Sequence, residues 1–359
     1  MTREDLEILH DSGAFNPSPR HQELYATHVP FDTMTHSRSC EQALAAALRR
    51  NERVTLVSTS GAGKSSVIAA TLHPMVEDLV PLPIPVAVER PEVAGDPVAF
   101  VRHLVQVISR LVQLTEPDHG KRARKIESET QPKFKRGKAF SVAPGLVGVS
   151  VRLAYELEAA VAEPSTTSDQ IMDQGRQILD LFRSRQLIPV LVLDDTDRWL
   201  TAPWLPDSRS TRDAFFTTIP RLLSEELDAA AVIAVHPSYL DDDAYRTARG
   251  FLSRTIAVPP VPSAGAVAAI LHRRIALAMD ARGLPAVEVS DVLRDAALVT
   301  VHDYYRGRPS DVRRNLLLVM HAALTLAVDD PAAESIERAH IELAIAEGRA
   351  EHRNSLWSA

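Results

Sequence analysis

Residues 56–68 read Leu-Val-Ser-Thr-Ser-Gly-Ala-Gly-Lys-Ser-Ser-Val-Ile, and the reading of this stretch decides the fold. Val54, Leu56 and Val57 before the loop suit a short buried strand, and the apolar run Val67–Leu72 after it suits a helix. Between them, Ser58–Ser65 matches every position but the first of the phosphate-binding pattern G-x-x-x-x-G-K-[ST]. Each residue type has a physical reason to be there. Gly61 and Gly63, flanking Ala62, let the backbone turn its N–H groups inward around phosphate oxygens. Lys64 can reach β- and γ-phosphates, and the Ser65 hydroxyl suits Mg²⁺. Ser66 follows at the helix N-terminus, whose field favours an anion. Ser58 stands where the pattern has its first glycine; it is small enough for the turn to survive.

The bulk properties narrow the class. With 359 residues the chain has room for a large domain and a smaller one. It has no 18-residue apolar run, so no membrane span is expected. The stretch Met1–His10 is acidic and lacks the apolar core of a signal peptide. The single cysteine, Cys40, forbids an internal disulfide, which fits a reducing cytoplasm. A net charge of −7 argues against general coating of nucleic acid but leaves room for a local basic patch.

Working outward from the loop, strands and helices alternate. Residues 1–30 show little periodicity and read as an N-terminal arm. Ser39–Arg50 reads as a helix, Ile84–Val88 as a second strand among prolines, and Pro97–Leu114 as an amphipathic helix with Val101, Leu104, Val105, Ile108 and Leu111 on one face. Ser168–Arg185 and Asp213–Leu227 read as helices. Pro189–Leu193, Ala230–Val235 and Thr255–Val258 read as strands. The expected fold is therefore α/β: a doubly wound parallel sheet over 31–260, followed by a small all-helical lid domain and tail over 261–359. A basic insertion and a β-hairpin, the latter at Ala139–Leu157, are expected at about 118–157.

Val190–Asp195 reads Val-Leu-Val-Leu-Asp-Asp, four apolar residues ending in two acids. A strand of this kind delivers its carboxylates to the C-terminal edge of the sheet, where phosphates sit in such folds. Asp194 suits Mg²⁺, directly or through water. Asp195 suits the orientation or deprotonation of an attacking water. Its side chain is one methylene shorter than the Glu more often found there.

The order of these parts resembles P-loop ATPases of the AAA+ and STAND group, most closely those of the Orc/Cdc type, over about residues 30–347. That resemblance implies ATP and Mg²⁺ as cofactors, with Lys64 and Asp195 catalytic. It makes His236, after the strand Ala231–Val235, the polar residue near the γ-phosphate, with Ser238 as the fallback. It makes Arg254 a finger acting on a neighbouring subunit's nucleotide, with Arg249 as the near alternative. Residues 307–318, Gly-Arg-Pro-Ser-Asp-Val-Arg-Arg-Asn-Leu-Leu-Leu, look like the sensor-2 motif that opens a lid helix. Ser310 occupies the usual arginine position, so Arg308, Arg313 or Arg314 would substitute. Orc-type proteins continue into a winged helix, for which this sequence leaves no room. With no Asn-Lys-x-Asp motif, ATP is favoured over GTP.

Lys121, Arg122, Arg124, Lys125, Lys133, Lys135, Arg136 and Lys138 face only Glu127 and Glu129, a net of +6 in a chain of −7. Such segregation suits DNA or RNA, a solvated loop, or an acidic face of a neighbouring subunit. Two functions remain open: an ATPase whose nucleotide state controls homo-oligomer or partner assembly, and a weakly hydrolysing switch or scaffold of a defence or mobile-element system.

Overall fold

The structure is a computed structural model and describes residues 2–16, 23–35, 39–85, 92–115, 117–130, 167–194, 196, 200, 208–305 and 313–357. In chain order the elements are α1 (Arg3–Asp11), α2 (Glu23–Ala26), α3 (Phe31–Thr35), α4 (Cys40–Leu48), β1 (Arg53–Val57), α5 (Lys64–Leu72), β2 (Leu79–Pro83), α6 (Glu92–Gly95), α7 (Pro97–Thr115), α8 (Pro117–Thr130) and α9 (Ser168–Arg183). There follow β3 (Ile188–Leu193), α10 (Ser208–Arg221), β4 (Ala230–Val235), α11 (Asp243–Ala248), β5 (Arg254–Ala257), α12 (Ala264–Asp280), α13 (Val289–Val292), α14 (Asp295–Tyr305), α15 (Arg313–Asp329) and α16 (Arg338–Trp357). Their contacts form two units. One comprises Gln42–Ser58 and Thr71–Ala257; the other comprises Met1–Glu41, Thr59–Ala70 and Val258–Ala359.

The first unit holds a five-stranded sheet in the order β2-β3-β4-β1-β5, with every pairing parallel. From β1 the chain crosses to the far edge, returns through β3 and β4, and then passes β1 to reach β5. That reversal makes the C-terminal end of β1 a topological switch point, where open α/β sheets bind ligands. The central strand β4 is buried along its whole length, as a parallel sheet covered on both faces requires. Thr55 is the buried polar residue of β1. Its hydroxyl donates to the Arg254 carbonyl at 3.1 Å and accepts from the Tyr245 phenol at 3.1 Å, so its burial carries no unmet hydrogen bond. Val101, Leu104, Val105 and Ile108 of the expected α7 stripe lie in the core, Leu111 packs partly buried against it, and Phe100 joins them.

Two elements differ from expectation. The second strand lies earlier, at Leu79–Pro83, and contains two prolines. Asp78 accepts from Ile188, and Ile84 donates to Val192, so the even-numbered residues of this edge strand face β3. Pro81 and Pro83 therefore point toward the outer edge and remove no ladder bond. The start of the basic insertion, with no element assigned from sequence, is helix α8; Ala123 and Ile126 are buried, while Lys121, Arg122, Arg124 and Lys125 are exposed. The expected hairpin at 139–157 lies outside the described residues.

In the second unit the N-terminal arm is more regular than its sequence suggested. Thr2 and Asp5 form a capping box that starts α1, and Leu6 and Leu9 are buried. Arg3 donates to the carbonyls of Val328 and Asp330 at 2.7 and 2.8 Å. It satisfies groups that the C-terminus of α15 leaves without helical partners and opposes the negative end of that helix. The region after Ser263 is helical, as expected, with Ser263 capping α12 through the Ala266 N–H.

Candidate functional site

The loop before α5 has the backbone that its sequence requires. Gly61 and Gly63 adopt φ of 81° and 103°, in the left-handed region that disfavours a side chain. The Gly63 carbonyl accepts from Val67 N–H at 3.0 Å, so the helix begins there. The N–H groups of the first turn consequently have no intrahelical acceptor and lie at the positive end of the helix dipole. Lys64 is buried at this junction, and its Nζ donates to the Thr59 carbonyl at 3.1 Å.

The start of α15 meets the same loop. Arg314 N–H donates to the Gly61 carbonyl at 3.1 Å. Arg313 passes so close to Gly63 that a Cβ there would lie 3.2 Å from its Cδ and 3.4 Å from its Nη1. The guanidinium is stacked on Phe31, 4.5 Å from the ring centroid. Nη2 is 3.5 Å from the Val29 carbonyl and 3.7 Å from Met34 Sδ, and the buried Nε has no hydrogen-bond partner among the described residues. Burial, with a smaller push from Arg274, lowers the Arg313 guanidinium to about 10.

A second polar group joins the N-terminal segment to α5. His28 Nδ1 lies 2.7 Å from Ser66 Oγ, and His28 Nε2 lies 2.6 Å from Glu41 Oε1. Phe31 N–H donates to the same carboxylate oxygen at 3.2 Å. Burial works against ionisation of Glu41, but hydrogen bonds from His28 and backbone N–H groups outweigh it and hold the carboxyl below its ordinary range. Next to it, burial and then the Glu41 charge push the Cys40 thiol up to about 12, so it stays protonated. No sequence motif marks His28 or Glu41; their partners are distant along the chain.

In the sheet unit, three of the residues read from sequence reach one edge. Ser58, Asp194 and His236 directly follow the ends of β1, β3 and β4, which pair in register with Val57 opposite Val235 and Leu193 opposite Ile233. Thr196, part of the acidic motif but given no role from the sequence, is buried and donates its hydroxyl to the Ala234 carbonyl of β4. His236 Nδ1 accepts from Ser238 N–H at 3.2 Å, so a neutral imidazole carries its proton on Nε2 and can donate there. Arg254 lies elsewhere. It opens β5 opposite Val54, at the other end of the strands, and pairs with Glu52 at 3.1 Å. Arg249 is exposed after α11. Asp195, Arg308, Lys133, Lys135, Arg136 and Lys138 lie outside the described residues.

No family model and no curated protein matches this chain. Among solved structures it is similar to a chain in "Structure of Drosophila ORC bound to DNA", at 13% identity and a TM-score of 0.48, covering 96% of this chain. The match spans 65% of the Drosophila chain's own length. It is also similar to the Aeropyrum pernix ORC2 protein with ADPNP and ADP, at 13% identity and a TM-score of 0.44, covering 86% of this chain and 68% of that one. The ADP form of that protein gives 11% identity and a TM-score of 0.47, covering 86% and 67%. These likenesses are distant, and the functional reading rests on the chain's own residues.

Proposed function

We propose that this chain is an AAA+-like ATPase that binds ATP at the loop Ser58–Ser66 and whose nucleotide state controls assembly or partner engagement. The observation that carries the reading is the Arg313 guanidinium, buried against Gly63 with Nε unbonded. Taking such a charge out of water costs several kcal/mol, whereas a desolvated cation–π contact contributes about 2 kcal/mol. The Glu41 charge offsets part of that cost, but its hydrogen bonds go to His28 and Phe31 and leave the guanidinium Nε unbonded. The imbalance supports an anion as a further partner, and the positive end of the α5 dipole beside it favours the same ligand.

In this reading Lys64, Gly61, Ala62, Gly63 and Ser66 hold the phosphates. Ser65 and Asp194 would hold Mg²⁺, which neutralises charge on the phosphates when bound. Asp195 orients the attacking water, and His236 donates from Nε2 as phosphate charge develops. Arg313 takes the part that the resemblance offered first to Arg308, with Arg313 or Arg314 as alternatives. Arg254, at the other end of the strands, acts only from a neighbouring copy. The switch reading is kept alive by one residue: Asp195 reaches less far than Glu, which favours slow turnover. Helix α8, with Lys121, Arg122, Arg124 and Lys125 exposed, is read as the start of a polyanion-binding surface. Among the described residues no helix is long and apolar enough to cross a membrane.

Phosphate release from MgATP by the pure protein, alone and with duplex DNA, tests the reading. Turnover abolished by Asp194→Asn supports the ATPase. Binding with no turnover under either condition supports the switch, and absence of nucleotide binding contradicts both.

A further inference from the structure

The link between the N-terminal segment and the phosphate loop has a chemistry of its own. His28 is nearly inaccessible, its side chain 3% exposed, and both its nitrogens are engaged. An isolated buried imidazole is an ordinary core residue, but this one bridges two elements, from Glu41 of α4 to Ser66 in the first turn of α5. Its partner Glu41 is also well covered, with 12% of the side chain exposed, and remains ionised. An ionised carboxylate accepts only, so Nε2 must be the donor. The ring is thereby fixed in orientation, and its Nδ1 is directed at Ser66.

Ser66 is the third residue of α5, in the turn whose N–H groups lack helical acceptors. Its hydroxyl has one short contact, to His28 at 2.7 Å, and one long one, to the Leu24 carbonyl at 3.5 Å. The long contact is weak by geometry. With a proton on both ring nitrogens, Nδ1–H would hold Ser66 Oγ as an acceptor and leave its one hydroxyl proton for a phosphate oxygen, which would displace only the weak Leu24 contact.

We propose that His28 is a positioning residue of the nucleotide site, with Glu41 holding the ring and the ring holding the Ser66 hydroxyl for a nucleotide phosphate. Docking of the N-terminal segment and nucleotide binding then reinforce one another. A ligand that takes the Ser66 proton tightens the Leu24–Glu41 segment, and release of that segment leaves Ser66 unplaced. The inference rests on the reading of Ser58–Ser66 as a phosphate loop.

The test is ADP binding by the full chain, compared across side chains that keep one half of the bridge. His28→Gln can reproduce the bond to Glu41 but not the Nδ1 contact, whereas His28→Asn puts its amide near Nδ1. His28→Gln and Ser66→Ala are each expected to weaken ADP binding about tenfold, as losing one charge-assisted hydrogen bond does. The double variant should be no weaker than the worse single variant, because both changes remove one interaction. His28→Asn should recover most of the loss. Amide exchange over residues 24–41 should slow on ADP addition in the wild type and not in Ser66→Ala. Wild-type affinity in folded His28→Gln, or strictly additive losses, would overturn the inference while leaving the phosphate loop intact. Absence of ADP binding by the wild type would overturn both.

Discussion

Arg313 carries a buried charge that Glu41 offsets only in part, with Nε unbonded, and that gives a prediction unusual for a proposed binding residue. Arg313→Met keeps the apolar stem over Phe31 and removes the buried charge. It should weaken nucleotide binding while raising the thermal midpoint of the nucleotide-free protein, because replacing a poorly compensated buried charge commonly stabilises by about 1–4 kcal/mol. A lowered midpoint would mean that the guanidinium is already satisfied. Glu41 gives the pH dependence. Its folded-state value lies below the ordinary 4.5, so its contribution to stability is complete above that pH and is lost as pH falls through the folded value. Glu41→Gln should therefore destabilise at neutral pH, and progressively less as the pH falls below 4.5 through the folded-state value, as read from denaturant midpoints. The positive-φ turn at Gly61 and Gly63 and the helix that starts at Lys64 were legible in sequence because a glycine-rich turn into a helix is a local pattern. His28 and Glu41 were not, since their contacts join segments far apart in the chain and neither belongs to a motif. Arg313 was narrowed to three arginines, and only its packing against Gly63 separates it from Arg314, whose side chain is exposed.

Among the elements, strands and helices with strong patterns were readable and boundaries set by long-range pairing were not. β4 was legible because a wholly apolar run suits the middle of a parallel sheet, and α7 because its stripe has helical spacing. β2 was misplaced by several residues, since prolines argue against a strand unless its open edge is known. α1 was missed because only Leu6 and Leu9 bury, although Thr2 and Asp5 gave its capping signature. The element-scale prediction concerns α8. Replacing Lys121, Arg122, Arg124 and Lys125 by Gln should weaken duplex DNA binding and flatten its salt dependence. Each lost phosphate contact lowers the log–log slope by roughly 0.9, so four contacts change it by roughly 3 to 4. Sequence preference should be small, because these side chains suit backbone rather than base edges. No DNA affinity at low salt would assign the face to solvent or to a protein partner.

At the scale of the whole molecule, the sheet order gathers Ser58, Asp194 and His236 at one edge and leaves Arg254 at the other end of the strands. Its ion pair with Glu52 is partly exposed on the Arg254 side, and exposed pairs are worth about 0–1 kcal/mol, so a neighbouring subunit's phosphate could recruit it. Mixing Arg254→Ala with Asp195→Asn should restore part of the ATPase activity that each lacks alone, at interfaces that combine an intact finger with an intact Asp195. No recovery despite demonstrated mixing would remove the finger. The central claim is that Ser58–Ser66 binds nucleotide phosphates, and titration of MgATP into wild type and Lys64→Ala tests it most directly. The expected result is saturable binding by the wild type and at least about tenfold weaker binding by a folded Lys64→Ala, a loss of about 1.4 kcal/mol or more. Equal affinities, or no binding by the wild type, would contradict it.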